Sequence, residues 1–140
     1  MNENKELEFL LNLSKLNSKI YRKLDSSLWG IWFNDFIVLY YLNQSMDKKL
    51  RRIDLAEKVW LTASGVTRLL LPMEKIWLVS KEVNQFDARV SYVVLAKWWE
   101  TKLEEAMDRI NFVLAEIMPN SLKSELEKTT TLLIDFYKNF

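Results

Sequence analysis

Neither cysteine nor histidine occurs among the 140 residues, and glycine and proline occur only twice each. The missing thiols exclude disulfides, thiol redox sensing and thiolate metal sites. Without imidazole the Ser-His-Asp arrangement and the usual zinc and iron ligand sets are excluded as well, and only carboxylates and lysines are left for acid–base work. No nucleophile–base pair, glycine-rich phosphate loop or metal constellation can be traced along the chain, so neither an enzyme nor a cofactor is expected. Four turn-forming residues are too few for an all-β chain, which must reverse direction every eight to twelve residues; helices should dominate. Long apolar runs are lacking too. The longest, Phe36 to Leu42, falls far short of the roughly 20 residues that cross a bilayer, and the polar start Met-Asn-Glu-Asn-Lys-Glu is unlike a secretory signal. A cytoplasmic protein is expected, with no membrane partner.

With 49% hydrophobic and 28% charged residues, the chain can close a core, and its length suits one domain spanning 1–140. The net charge of +1 is unevenly spread. Between residues 46 and 97 ten basic side chains face six acidic ones, whereas the flanks are net acidic. A basic middle between acidic ends fits a chain whose middle meets a polyanion, although a plain solvated surface would look the same.

Leu13, Leu16, Ile20 and Leu24 recur at helical spacing, predicting an amphipathic helix over 5–24 that Asp25-Ser-Ser breaks. Asn34 or Asp35 can cap a second helix carrying Phe36, Leu39, Tyr40 and Asn43, which is apolar nearly all round and therefore central. Arg51 and Arg52 open a third helix, with Ile53, Leu55, Ala56 and Val59 as its inner set. They sit at the end where a cation is disfavoured by about 0.3–1 kcal/mol. A passing phosphate would offset that cost; so would ordinary solvation. Trp60-Leu61 then forms a turn, and Thr62 is the natural N-cap of a fourth helix running from about Ala63 to Lys75. Val66, Leu69, Leu70 and Met73 of that helix point inward. Ser64, Thr67 and Arg68 lie on the outer side, near unpaired backbone N–H groups and the positive end of the dipole. A surface helix of any soluble protein shows this amphipathic pattern, so its neighbours decide its meaning. Two short helices joined by a tight turn make a helix-turn-helix. The segments 77–83 and 90–95, rich in β-branched and aromatic residues, predict a β-hairpin with a charged tip. A hairpin in that position is a wing. Leu103, Met107, Ile110, Leu114 and Ile117 describe a long helix ended by Pro119. Ser121 would cap a last one with Leu122, Leu126, Leu133, Phe136 and Phe140 as a stripe. A winged unit of this size closes on itself, so apolar stripes on terminal helices imply a partner, most simply a second copy.

Asp54-Leu-Ala-Glu-Lys-Val, Leu61-Thr-Ala-Ser-Gly-Val-Thr-Arg-Leu-Leu, Met73-Glu-Lys-Ile-x-Leu-Val, and Asp87-Ala-Arg89 followed by Val94-Leu95 together resemble the MarR family of bacterial transcriptional regulators. The resemblance covers nearly the whole chain. It implies a mainly α fold with a small β-hairpin wing, in which a winged helix-turn-helix over 34–97 is flanked by dimerisation helices over 1–28 and 100–140. A homodimer that binds a pseudo-palindromic DNA operator, usually as a repressor, is also implied. Thr62, Ser64, Gly65, Thr67 and Arg68 match positions that contact bases or phosphates, and Arg89 matches a minor-groove arginine braced by Asp87. Arg68 can pair bidentately with guanine or simply touch a phosphate; for Arg89 the other reading is a hairpin-tip ion pair without DNA. A small aromatic or phenolic effector would fall near Phe33, Phe36, Tyr40 and Tyr41, rings that would equally suit a core. An interaction module on the same fold, with weak or no DNA binding, stays open beside this reading.

Six tryptophans against two glycines make an unusual ratio. Trp60 and Trp77 stand where the family usually has Gly, Trp98 and Trp99 follow Lys97 where Gly is common, and Trp32 replaces a small residue. If the backbone is unchanged, tryptophan at a glycine position is strained by roughly 1–3 kcal/mol. Three explanations remain at this stage: a changed backbone, an engineered substitution, or a codon that the source organism reads as glycine rendered here as tryptophan. Pro72, inside the fourth helix, predicts a bend or early break.

Overall fold

The computed structural model describes residues 4–140; the first three residues of the segment expected to dimerise lie outside the described residues. Ten regular elements follow one another: α1 (Lys5–Ser27), α2 (Phe33–Gln44), β1 (Lys49–Arg51), α3 (Arg52–Val59), α4 (Ala63–Lys75), β2 (Val79–Val83), β3 (Ser91–Leu95), α5 (Trp99–Ile117), α6 (Asn120–Ser124) and α7 (Leu126–Tyr137). The fold is mainly helical, with one small antiparallel sheet in the order β1-β3-β2. β2 and β3 form the expected hairpin, Val79 opposite Leu95 and Val83 opposite Ser91. β1, which sequence periodicity did not reveal, adds a third strand by pairing Lys49 with Val94 and Arg51 with Tyr92. Three residues are too few to show an alternation, and the partner strand lies more than forty residues away.

α2 is central because no side of it meets water for long. Val38, Leu39 and Leu42 are fully buried, and Leu55 of α3, Val66, Leu70 and Met73 of α4, Leu78, Val79 and Val93 close around them. The inner faces of α3 and α4 pack on this core and leave the amino end of α4 exposed. Ile53, expected inside, is 70% exposed: α3 begins at Arg52, which places Ile53 on the outer side of its first turn. α5 departs further from expectation. Leu103, Ala106, Ile110 and Val113 are buried against α1 and α2, so this helix contributes to the core of the chain itself. Leu103, Ile110 and Val113 each contribute roughly 1.5–3 kcal/mol relative to exposure. In α7, by contrast, no residue is buried.

The element ends show where contacts distant in the chain override local preference. α1 continues through Ser27, because Asp25 stays helical and its carboxylate accepts the Phe33 N–H at 2.7 Å. α2 starts at Phe33, with Trp32 rather than Asn34 or Asp35 in the cap position. Asp35 acts from within the first turn, its Oδ2 accepting the Trp32 N–H at 2.8 Å; an indole carries no acceptor with which to reciprocate. α4 runs through Pro72 to Lys75 without breaking. Ser121 caps nothing: Pro119 precedes the short α6, and Glu125 precedes α7.

Candidate nucleic-acid interface

Both helices of the helix-turn-helix end in the same device. At the end of α3, Trp60 N–H donates to Glu57 O and Leu61 N–H to Ala56 O, at 3.4 and 3.1 Å. At the end of α4, Trp77 N–H donates to Glu74 O and Leu78 N–H to Met73 O, at 3.2 and 3.0 Å. These paired bonds define the Schellman motif, whose pivot residue is left-handed and is ordinarily glycine. Trp60 has φ 58° and Trp77 has φ 60°. The backbone is therefore unchanged at both positions, and the first of the three explanations fails there. Trp98 (φ −100°) and Trp32 (φ −93°) occupy backbone that any residue adopts. The Trp60 ring, 68% exposed, turns onto Tyr137 of α7 with centroids 5.2 Å apart.

The turn thus formed delivers α4. Thr62 Oγ1 accepts the Gly65 N–H at 3.1 Å, the N-cap bond that the sequence predicts. Ser64 Oγ lies 3.2 Å from the same oxygen. A side chain at Gly65 would bring a Cβ to 3.2 Å from Thr62 Oγ1, so the small residue lets the cap close tightly. Arg68 projects into solvent one turn further. Thr67 is half-buried, and its hydroxyl donates to Ala63 O at 3.1 Å.

The two arginines at the start of α3 divide. Arg51 is engaged by Asp54 through Nε at 2.7 Å and Nη2 at 3.1 Å. That pairing holds the Asp54 carboxyl below its ordinary range, chiefly through the hydrogen bond. Arg52 instead crosses to α4, its Nη1 donating to Thr67 Oγ1 at 2.7 Å. Sequence reasoning missed this bond: fifteen residues separate the partners, and nothing in local periodicity brings them together.

At the wing tip Asn84 Oδ1 accepts from Phe86 N–H at 2.8 Å, and Val90 N–H closes onto Asp87 O at 3.0 Å. Asp87 Oδ1 accepts both the backbone N–H and Nε of Arg89, at 3.0 and 3.1 Å, while Oδ2 meets Nη2 at 3.3 Å. These bonds, side chain first and backbone second, hold the Asp87 carboxyl below its usual value. Arg89 itself is 91% exposed. Its guanidinium is aimed by a carboxylate yet open to solvent. The Lys49–Glu82 pair, 3.0 Å apart, ties β1 to β2, and Lys49 Nζ also lies 4.9 Å from the centre of the Tyr92 ring.

A separate cleft of about 470 Å³ opens beside α2, and Tyr21, Phe36, Tyr40, Tyr41, Lys58 and Trp60 are among the residues lining it. Phe33 does not reach it. Its ring is edge-on to Tyr21 at 5.1 Å and stacked on Phe36 at 5.9 Å, so it supports the wall from behind. Burial, then the nearby Asp25 charge, pushes the Tyr21 phenol upward. Lys58 brings a positive charge to the mouth, 5.7 Å from the Tyr41 ring centre. Among the described residues no cluster of acidic side chains could hold a metal, and no helix is long and apolar enough to cross a membrane.

No protein-family model and no curated relative matches the sequence. Solved structures match the fold closely. AbsC, a MarR family transcriptional regulator from Streptomyces coelicolor, superposes with a TM-score of 0.78 at 18% identity, over 100% of this chain and 98% of that one. The transcriptional regulator BldR from Sulfolobus solfataricus gives 0.81 at 17% identity, over 96% and 99%. A mutant MarR from E. coli complexed with operator DNA gives 0.77 at 17% identity, over 95% and 98%. The chain has the winged helix fold of the MarR family transcriptional regulators.

Proposed function

We propose that this chain is a sequence-specific DNA-binding transcriptional regulator that acts as a homodimer in the cytoplasm and represses its targets. Each subunit lays the amino end of α4 in a major groove and the β2–β3 wing along the adjacent minor groove. One observation carries this reading: Ser64, Thr67 and Arg68 stand on the capped, positive end of α4, and the same fold extends an Asp87-braced Arg89 from the wing tip. Short donors and a guanidinium at a helix amino end suit base edges and phosphates. An oriented arginine on a hairpin suits the narrow, strongly negative minor groove.

The tyrosine-lined cleft suits a small aromatic or phenolic anion, its rings flanking the ligand and Lys58 meeting the charge. Binding there would displace α3, and with it α4, releasing DNA. The test is a titration with the duplex flanking the chain's own gene at several salt concentrations, repeated with aromatic acids. Tight binding that weakens steeply with salt is expected, because neutralised phosphates release counterions. Equal affinity for random duplex at low salt would overturn the proposal.

Trp60, exposed in the turn beside α4, favours a second reading, in which the fold serves as a protein-interaction module. Binding to another regulator that survives Arg68→Ala and Arg89→Ala would select it.

A further inference from the structure

We propose that Arg52 is a positioning residue that fixes how Thr67 reads DNA, limiting the threonine to an A·T base pair; this rests on the DNA-binding reading above. A hydroxyl has one proton and two lone pairs. In Thr67 the proton is committed to Ala63 O at 3.1 Å, and one lone pair receives Arg52 Nη1–H at 2.7 Å. What remains to be shown to a groove is one acceptor lone pair and the Cγ2 methyl. Thr67 can therefore receive an amino group and touch a methyl, but it has no donor for an oxygen or ring nitrogen.

In the major groove an A·T pair presents an amino donor on adenine and a methyl on thymine, whereas a G·C pair presents an amino donor without a methyl. The acceptor-plus-methyl pattern thus fits A·T best. Arg52 makes the pattern persist. Without its bond, the hydroxyl gains a free lone pair and can turn outward to donate, which would admit guanine. Ser64 shows the contrast: among the described residues its side-chain hydrogen-bond partner is Thr62 Oγ1 at 3.2 Å, where either oxygen can be the donor, so its polarity is free to adapt. Arg51 cannot substitute for Arg52, because Asp54 engages it on two nitrogens. Among the described residues no carboxylate pairs with Arg52, so its bond to Thr67 has no ion pair competing with it.

The experiment is selection of binding sites from a duplex library randomised across both half-sites, using the full chain as wild type, Arg52→Ala, Arg52→Lys and Thr67→Val. The wild type should enrich a two-fold site with one base pair per half-site held as A·T, by about tenfold over G·C. Thr67→Val, which keeps a methyl and loses the acceptor, should reduce that preference at this pair alone. Arg52→Ala should relax the same pair, and Arg52→Lys, whose ammonium can still donate to Thr67, should retain it. Circular dichroism of each variant establishes folding; should Arg52→Ala fail to fold, Arg52→Lys and Thr67→Val decide the matter. The proposal is overturned if Arg52→Ala weakens all sequences by one factor with preferences intact, since that describes a phosphate contact. It is also overturned if the pair sensitive to Thr67→Val is G·C in the wild-type site, or if Thr67→Val alters no position. No enrichment by the wild type would instead sink the DNA-binding reading itself, visibly and before any variant is compared.

Discussion

A tryptophan in left-handed backbone carries a steric cost that glycine does not, roughly 1–2 kcal/mol per residue. Glycine in exchange frees the unfolded chain, offsetting about 0.4–1 kcal/mol. Trp60→Gly and Trp77→Gly are therefore each expected to raise stability by about 1 kcal/mol, measured as a shift in the urea midpoint; a lower midpoint for Trp77→Gly would mean that its φ of 60° is not costly. Of the explanations for these residues, the engineered change and the reassigned codon remain. Intact mass of protein isolated from the source organism tests the codon reading, which a mass matching six tryptophans would exclude. At the other end of the site, Arg89→Ala should weaken DNA binding most on sites with a narrow minor groove and lower the magnitude of the salt slope by about one, because one DNA-facing cation is removed. An unchanged slope would confine Arg89 to its ion pair with Asp87. That pair was legible in the sequence as Asp-x-Arg at a hairpin tip, since two residues of separation leave little choice of geometry.

Among the helices, α2 depends on a buried charge at its start. Burial pushes the Asp35 carboxyl above its ordinary range, with the Asp25 charge adding to the effect and the Trp32 N–H opposing it. Between the unfolded value and this raised one, the folded chain holds a proton that the unfolded chain has lost. Stability should therefore fall as pH climbs through that window. Asp35→Asn keeps an acceptor for the Trp32 N–H and has no charge to bury, so its unfolding free energy should lack that slope in chemical denaturation across acidic pH. An unaltered slope would place its origin elsewhere. In α4, Pro72 denies Arg68 O its intrahelical donor, and yet the helix continues because Met73 and Leu70 are anchored in the core. Pro72→Ala is expected to stabilise the fold by about 1–3 kcal/mol, read from thermal unfolding. Element types were legible because apolar residues repeat at 3.6 and 2.0. Several ends were not, because Asp25, Trp32 and Pro72 have their local preferences overruled by tertiary bonds and packing.

The whole molecule leaves its two terminal helices with uncovered apolar surface. Leu7, Phe9, Leu10 and Leu11 on α1 and Leu132, Leu133 and Phe136 on α7 are exposed, with Phe9 and Phe136 meeting edge-on at 6.1 Å. So large an exposed apolar set fits a two-fold interface. The wild type should sediment as a dimer at micromolar concentration, and Leu10→Lys with Leu133→Lys should yield a folded monomer that binds a single half-site weakly. A wild-type monomer would refute the homodimer. What the sequence by itself determined was local: the order of helices and hairpin, the Thr62 cap and the Asp87 brace. All of these follow from side chains within a few residues of one another. The tertiary structure alone decided that α5 belongs to the core, that β1 joins the sheet, that Phe33 stands behind the cleft and that Arg52 reaches Thr67. Each of those depends on packing between segments distant in the chain, where spacing along the sequence carries no information about distance in space.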